Sequence, residues 1–391
     1  MFFAGLELTF ANDYTKASFK EGNPTIEHQK IQEFMEGLRD QIEENLKPLI
    51  ESAYNAKVSI EFVEDIQKDF GGKSGQVSNL RVTISDVHPD APEHLQTLAK
   101  DWGFTISLDP QVIEVQMGPA SWDPETANWE SEIVQATYDF VLSNEDGLFS
   151  ASQSPFNGLA PNPTLGGGHV NIDAETAGFE SSDQIVELLQ RWEDHRAEAA
   201  HDEDSLIEQN PQCQAVLSVT RYKGLFDGKK GNAHAHDIRA ALDDARGQKW
   251  EQAMAIIEKA FFDHPQRSII NDAPGCLPEA EIPRNAKARR EEASRIVRHN
   301  QAVNVEHLES SGPTGRIEFR EFRAQNSPAE VNKSIALCYG LVSKVTASSS
   351  RSERGSVRYN NKAKMSGGNQ RRSAPRSVSS PTRSRGTKSG R

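Results

Sequence analysis

Polar and apolar positions alternate over several short stretches of this chain, and four of these stretches carry a charged or imidazole side chain on the polar side. They read Gly5-Leu6-Glu7-Leu8-Thr9, Val112-Ile113-Glu114-Val115, Gly168-His169-Val170-Asn171-Ile172-Asp173 and Arg316-Ile317-Glu318-Phe319-Arg320. A period of two predicts strands with one face buried. Together with the His169 stretch, strands are expected over 1–10, 58–63, 80–85, 104–108, 112–117, 214–220, 302–307 and 316–323. Helical spacing predicts an amphipathic helix over 26–53, with Ile31, Phe34, Met35, Leu38, Ile42, Leu46 and Leu49 on one face. Other helices are expected over 92–102, 129–142, 182–200, 235–263 and 285–299. Ser327-Pro328-Ala329-Glu330 is a capping box with proline at the first helical position, opening a last helix to about Thr346. Strands and helices mix without a regular βαβ beat. The expected class is α+β, a largely antiparallel curved sheet flanked by helices.

Three glutamates and a histidine on the polar sides of separate strands need a positive charge among them. A divalent cation supplies it: carboxylates suit Mg²⁺ or Mn²⁺, and one imidazole tilts the choice towards Mn²⁺. Glu7, Glu114, His169 and Glu318 are therefore the candidate metal ligands. Arg320, two residues from Glu318, shares its face in a strand and points to a phosphate as the other partner. Each residue also has a plainer reading. Glu7 and Glu114 could be edge-strand carboxylates in water, and His169 a histidine satisfied within a sheet. Glu318 and Arg320 could belong to a cross-strand charge ladder with Arg316, Glu321 and Arg323. Arg298 could be one of the solvated basic residues of a helix face with Arg289, Arg290 and Arg295. His234-Ala235-His236-Asp237 has no third ligand placed by its spacing, and Gly224–Gly231 lacks the Ser/Thr of a phosphate loop.

Charge divides the chain. From Lys344 to Arg391 there are thirteen Lys/Arg and one acid, Glu353, so the net charge of −13 leaves about −25 on residues 1–343. The tail, 347–391, is Ser/Arg/Gly-rich and is expected to be disordered, because it buries too little apolar surface to offset its ordering entropy. It could bind an acidic or nucleic-acid partner; the acidic body argues against a nucleic-acid-binding main surface. The ordered domain is expected over 1–346. No apolar run approaches the roughly 18–20 residues of a membrane span. The first residues lack the pattern of a secretory leader, and Cys213, Cys276 and Cys338 show no paired spacing, so a reducing cytoplasm is expected.

In motif order the chain resembles the amidoligase family, glutamine-synthetase-like carboxylate–amine ligases that also include glutamate–cysteine ligases. Gly5-Leu6-Glu7-Leu8 is similar to the family's first metal strand. Asp109 with Val112-Ile113-Glu114-Val115 and Gly118-Pro119 is similar to the second acidic strand, and Gly166-Gly167-Gly168-His169 to the approach to the metal histidine. Arg298-His299-Asn300 with Ala302-Val303-Asn304-Val305, then Gly315-Arg316-Ile317-Glu318-Phe319-Arg320, complete the order over about residues 1–345. The chain departs from the family at Thr9, where a second glutamate is common, and at Asn171, where a second histidine is common.

The resemblance implies a glutamine-synthetase-like catalytic domain that uses ATP and Mg²⁺ or Mn²⁺ to join a small-molecule or peptide carboxylate to an amine. Glu7, Glu114, His169 and Glu318 would hold metal. Arg320 would meet the transferring phosphoryl, and Arg298 an ATP phosphate. Asn304, Arg221 and Arg316 would bind substrate or nucleotide. The two departures leave a degenerate, non-catalytic nucleotide- or partner-binding member as the alternative.

Overall fold

The computed structural model describes residues 2–18, 28–64, 68–70, 73–75, 78–89, 96, 102–109, 112–143, 145–162, 167–199, 205–207, 242–262, 302–309 and 311–365. The expected elements at 214–220 and 285–299, most of 92–102, and the tail from residue 366 onward fall outside them. Met1–Ala347 forms one compact unit and Ser348–Arg391 another.

The fold is mixed helix and strand around a largely antiparallel open sheet. Its strands are β1 (Phe2–Ala11), β2 (Ala56–Glu64), β5 (Ser78–Val87), β6 (Gly103–Asp109), β7 (Val112–Met117), β11 (His169–Asp173), β12 (Val303–Asn304) and β13 (Arg316–Phe319). They run in the order β12-β13-β11-β1-β7-β6-β5-β2. Three short strands, β8 (Ala120–Asp123), β9 (Asn128–Trp129) and β10 (Ala160–Pro161), branch from the β1 neighbourhood, and β3 (Lys68–Phe70) pairs with β4 (Lys73–Gly75) alone. β1 is the centre, pairing with β7, β8, β10 and β11 along its length.

The alternation seen in sequence decides which face is covered. Phe2, Ala4, Leu6, Leu8 and Phe10 point into the core, joined by Ile106, Val115, Val170, Ile172, Ile317 and Phe319. Helices supply the other side of that core. They are α2 (His28–Gln41), α3 (Lys47–Tyr54), α4 (Glu132–Leu142), α5 (Ser182–Ala199), α6 (Trp250–Phe262) and α7 (Pro328–Met365), after a short α1 (Asp13–Ser18). The residues opposite the core face make a second, polar face, and that is where the candidate ligands fall.

Two local features differ from the sequence expectation. The helix expected over 26–53 is interrupted by a π segment, Ile42–Leu46, with the Lys47 N–H donating to the Ile42 carbonyl. Pro48 follows at once; it lacks an N–H, and its ring would crowd the carbonyl four residues back in a regular helix. The wider turn carries the buried stripe on to Ile50, and Leu49 is 53% exposed. At the other end α7 runs to Met365 rather than Thr346; its sequence has no proline after Pro328 and one glycine pair's worth of breakers, Gly340 and Gly355, spaced far apart. Its start matches the capping box in part. The Glu330 N–H donates to Ser327 Oγ at 3.3 Å, but the Glu330 carboxylate accepts from the Asn326 N–H at 2.7 Å.

Candidate metal centre

Register brings the polar residues together. Glu7 lies opposite His169 on β11 and Gln116 on β7; Asn171 lies opposite Gly5 and Glu318; Glu318 lies opposite Asn304. Directly paired residues share a face of the sheet. Glu7, His169 and Glu318 therefore meet across three neighbouring strands, with one ligand atom from each within 4.8 Å of the others.

The geometry is tight. His169 Nδ1 is 2.9 Å from Glu7 Oε2 and 3.2 Å from Glu318 Oε1. Arg320 Nη1 donates to Glu318 Oε1 at 2.5 Å, and Asn304 Nδ2 to Glu318 Oε2 at 3.1 Å. Glu318 is 2% exposed and Asn304 0%. Two buried carboxylates at this spacing repel unless a cation stands between them. Burial pushes the Glu7 carboxyl up, and the Glu318 charge adds to that. The hydrogen bond and charge of His169 and the charge of Arg320 overcome both and hold it at about 2. Burial likewise opposes ionisation of Glu318, and His169, Arg320 and Asn304 outweigh it, leaving that carboxyl well below the ordinary carboxylate range.

Asn171 completes the inner ring. Its Nδ2 donates to Glu7 Oε1 at 3.3 Å, while its Oδ1 is buried without a hydrogen-bond partner. A buried amide oxygen in that state is costly unless something positive meets it. The donor set therefore fits a divalent cation: two carboxylates and an imidazole in reach of one another, plus a carbonyl oxygen awaiting a partner.

Close backbone approach builds the histidine's setting. A side chain at Gly167 would put its Cβ 2.7 Å from the Phe322 carbonyl. The next residue, Gly168, donates its N–H to that same carbonyl at 3.1 Å. Thr9 has a structural use here: its hydroxyl donates to the Gly167 carbonyl at 3.1 Å in a buried setting. It ties the segment before His169 to β1 instead of offering a ligand.

Three of the four expected ligands thus converge. Glu114 shares their face but stands opposite Thr9 rather than Glu7, on the β7 side of β1 and away from β11, and it is not in the three-residue group. The strand carrying Glu318 ends at Phe319, and Arg320 turns out of the ladder with its N–H on the Ala302 carbonyl. Its guanidinium still reaches Glu318. Arg316 is exposed and donates from Nη2 to His307 Nε2 at 3.2 Å. Arg298 and Arg221 lie outside the described residues, as does the His234–Asp237 cluster.

His307 was not signalled by the sequence. It is half-buried, with Nε2 4.0 Å from Glu318 Oε2. The turn between β12 and β13 brings it there. Gly315 has φ +101°, a conformation that favours glycine, and a Cβ on it would collide with the His307 carbonyl.

Glu7, Asn171, His307 and Arg316 open onto a cavity of about 780 Å³ on the polar face, whose lining extends to Arg81. No helix among the described residues is long and apolar enough to cross a membrane. Comparison with protein-family models, curated proteins and solved structures gives no match.

Proposed function

We propose that the protein is an ATP- and Mg²⁺-dependent carboxylate–amine ligase with a glutamine-synthetase-like catalytic domain. The observation that carries the reading is the Glu7–His169–Glu318 group with Arg320 fixed on Glu318, at the edge of a cavity large enough for small substrates.

A free carboxylate does not form an amide at a useful rate, because oxide is a poor leaving group. In the proposed reaction a substrate carboxylate oxygen attacks the γ-phosphorus of ATP, and ADP leaves. The amine then attacks the acyl carbon of the acyl phosphate, inorganic phosphate departs, and the amine loses a proton. The first step brings two anions together. A divalent cation held by Glu7, His169 and Glu318 would supply charge neutralisation on phosphate oxygens.

The chain's own residues do the rest. Arg320, ion-paired with Glu318, would meet the transferring phosphoryl charge without reorganising during reaction. Asn304 keeps Glu318 oriented through Oε2. Arg316, exposed beside His307, is available to a substrate or nucleotide anion.

A second reading is a non-catalytic relative that binds nucleotide. Thr9 favours it, since its hydroxyl is committed to Gly167 and one ligand common in the family is absent. Phosphate release from ATP, scanned over pools of amino acids and amines with Mg²⁺ or Mn²⁺ and with Glu318→Ala as the blank, separates the two. Amine-dependent release lost in the variant is expected. Nucleotide binding without release would favour the second reading, and neither would overturn both.

A further inference from the structure

One residue row crosses the polar face from the metal centre to the far side of the cavity. His169 pairs with Glu7, Glu7 with Gln116, Gln116 with Thr105, and Thr105 with Arg81. Residues in such a row all project from one face. Three strand spacings separate Glu7 from Arg81, roughly 14 Å along the sheet. Both line the same cavity, with Gln116 and Thr105 between them.

Arg81 is exposed, and no carboxylate among the described residues pairs with it. The residue directly opposite on β2 is Glu61, whose Oε1 instead accepts from the Ser59 hydroxyl at 2.8 Å. The cavity thus has Glu7 and Asn171 at one end, with Arg316 and His307 beside them, and a separate cation, Arg81, at the far end, with the neutral Gln116 and Thr105 between.

We infer that Arg81 binds a distal carboxylate on an extended ligand, whose near carboxylate lies at the metal centre. The ligand class is then an elongated dicarboxylate, an acid whose second carboxylate lies several bonds from the first, rather than a compact monocarboxylic acid. An arginine suits this role because its fork matches a carboxylate in bidentate geometry. Gln116 and Thr105 can hydrogen-bond polar groups along the chain between the two ends without adding charge. This assignment rests on the metal-binding part of the proposed function and not on the ligase step.

The test uses full-length protein with saturating Mn²⁺, titrated calorimetrically with unbranched α,ω-dicarboxylates from succinate to sebacate and with the matching monocarboxylates. Wild-type protein is expected to prefer the longer dicarboxylates over monocarboxylates of equal length. In Arg81→Ala that preference should fall roughly tenfold, with monocarboxylate binding unchanged. Arg81→Lys should keep part of it. Because Arg81 is exposed, both variants are expected to fold, and circular dichroism checks this. Mn²⁺ binding with no preference for dicarboxylates, or a preference untouched in Arg81→Ala, would overturn the assignment and leave the metal centre standing. Absence of Mn²⁺ binding in a parallel paramagnetic-resonance titration would overturn the metal reading and this assignment together.

Discussion

Arg320 and Glu318, two residues apart in sequence, are joined through Nη1 and Oε1 although the strand ends between them. The pair survives the break because the Arg320 N–H is anchored on the Ala302 carbonyl, which returns the guanidinium to the carboxylate. Removing one well-placed electrostatic contact of this kind costs about 2.7–4 kcal/mol of barrier. On the proposed ligase reading, Arg320→Ala should therefore lower amine-dependent phosphate release by roughly 10² to 10³. Turnover equal to wild type would remove this arginine from the chemistry.

Divalent cation should stabilise the folded protein. Two carboxylates and an imidazole already lie within ligand distance, so little reorganisation is needed on binding. Thermal melting with and without Mn²⁺ is expected to show an upward shift, reversed by chelator and absent in His169→Ala. The size follows from ligand excess over the dissociation constant, about 2.7 kcal/mol at a hundredfold excess. An equal shift in His169→Ala would place the cation elsewhere.

The metal-free protein should lose stability in acid through this centre. Glu7 falls from its ordinary 4.5 to about 2 in the folded state, and Glu318 is depressed as well. A depressed carboxyl binds fewer protons folded than unfolded. Its contribution is whole above about 4.5 and is lost as pH falls towards about 2. Urea unfolding of metal-free protein across that window should show falling stability, with a shallower slope in Glu7→Gln. Identical slopes would mean that Glu7 does not hold this charge in solution.

The strands that carry the centre were legible because their alternation is clean: Leu6, Leu8, Val170, Ile172, Ile317 and Phe319 are buried, and Glu7, His169 and Glu318 share the opposite face. Register was not legible. Glu114 has the same local pattern as Glu7, yet its strand pairs on the side of β1 away from β11, which separates it from His169. The π segment before Pro48 was hidden for a related reason: one residue added to a turn moves the buried position from Leu49 to Ile50 without changing composition. His307 depended on a turn at Gly315 whose geometry no periodicity reports. Thr9 looked like a missing ligand, and its hydrogen bond to Gly167 depends on a contact 158 positions away.

That contact makes a stability prediction. Thr9 is 5% exposed, and replacing it by valine keeps shape while leaving the Gly167 carbonyl without this donor. A buried acceptor stripped of its partner costs about 1–3 kcal/mol. Thr9→Val should be destabilised by that amount in urea, and its Mn²⁺ affinity should fall because the segment before His169 loosens. A variant as stable as wild type would mean that the close approach at Gly167 alone fixes the histidine.

Asn171 offers the sharpest probe of the cation. Its unpartnered Oδ1 lies beside Glu7, on the residue paired with Glu318. Asn171→Asp keeps the shape but removes the Nδ2 donor to Glu7 and sets a third carboxylate in the ring. Without metal the variant should be less stable than wild type, because like charges then face each other in a buried site. With Mn²⁺ the order should reverse, since the added charge strengthens an oxygen-ligand site for a hard cation. Asn171→Leu should weaken Mn²⁺ binding without creating the repulsion. Melting curves of the three proteins with and without Mn²⁺ give the comparison. If aspartate destabilises equally in both conditions, the amide oxygen does not face the ion.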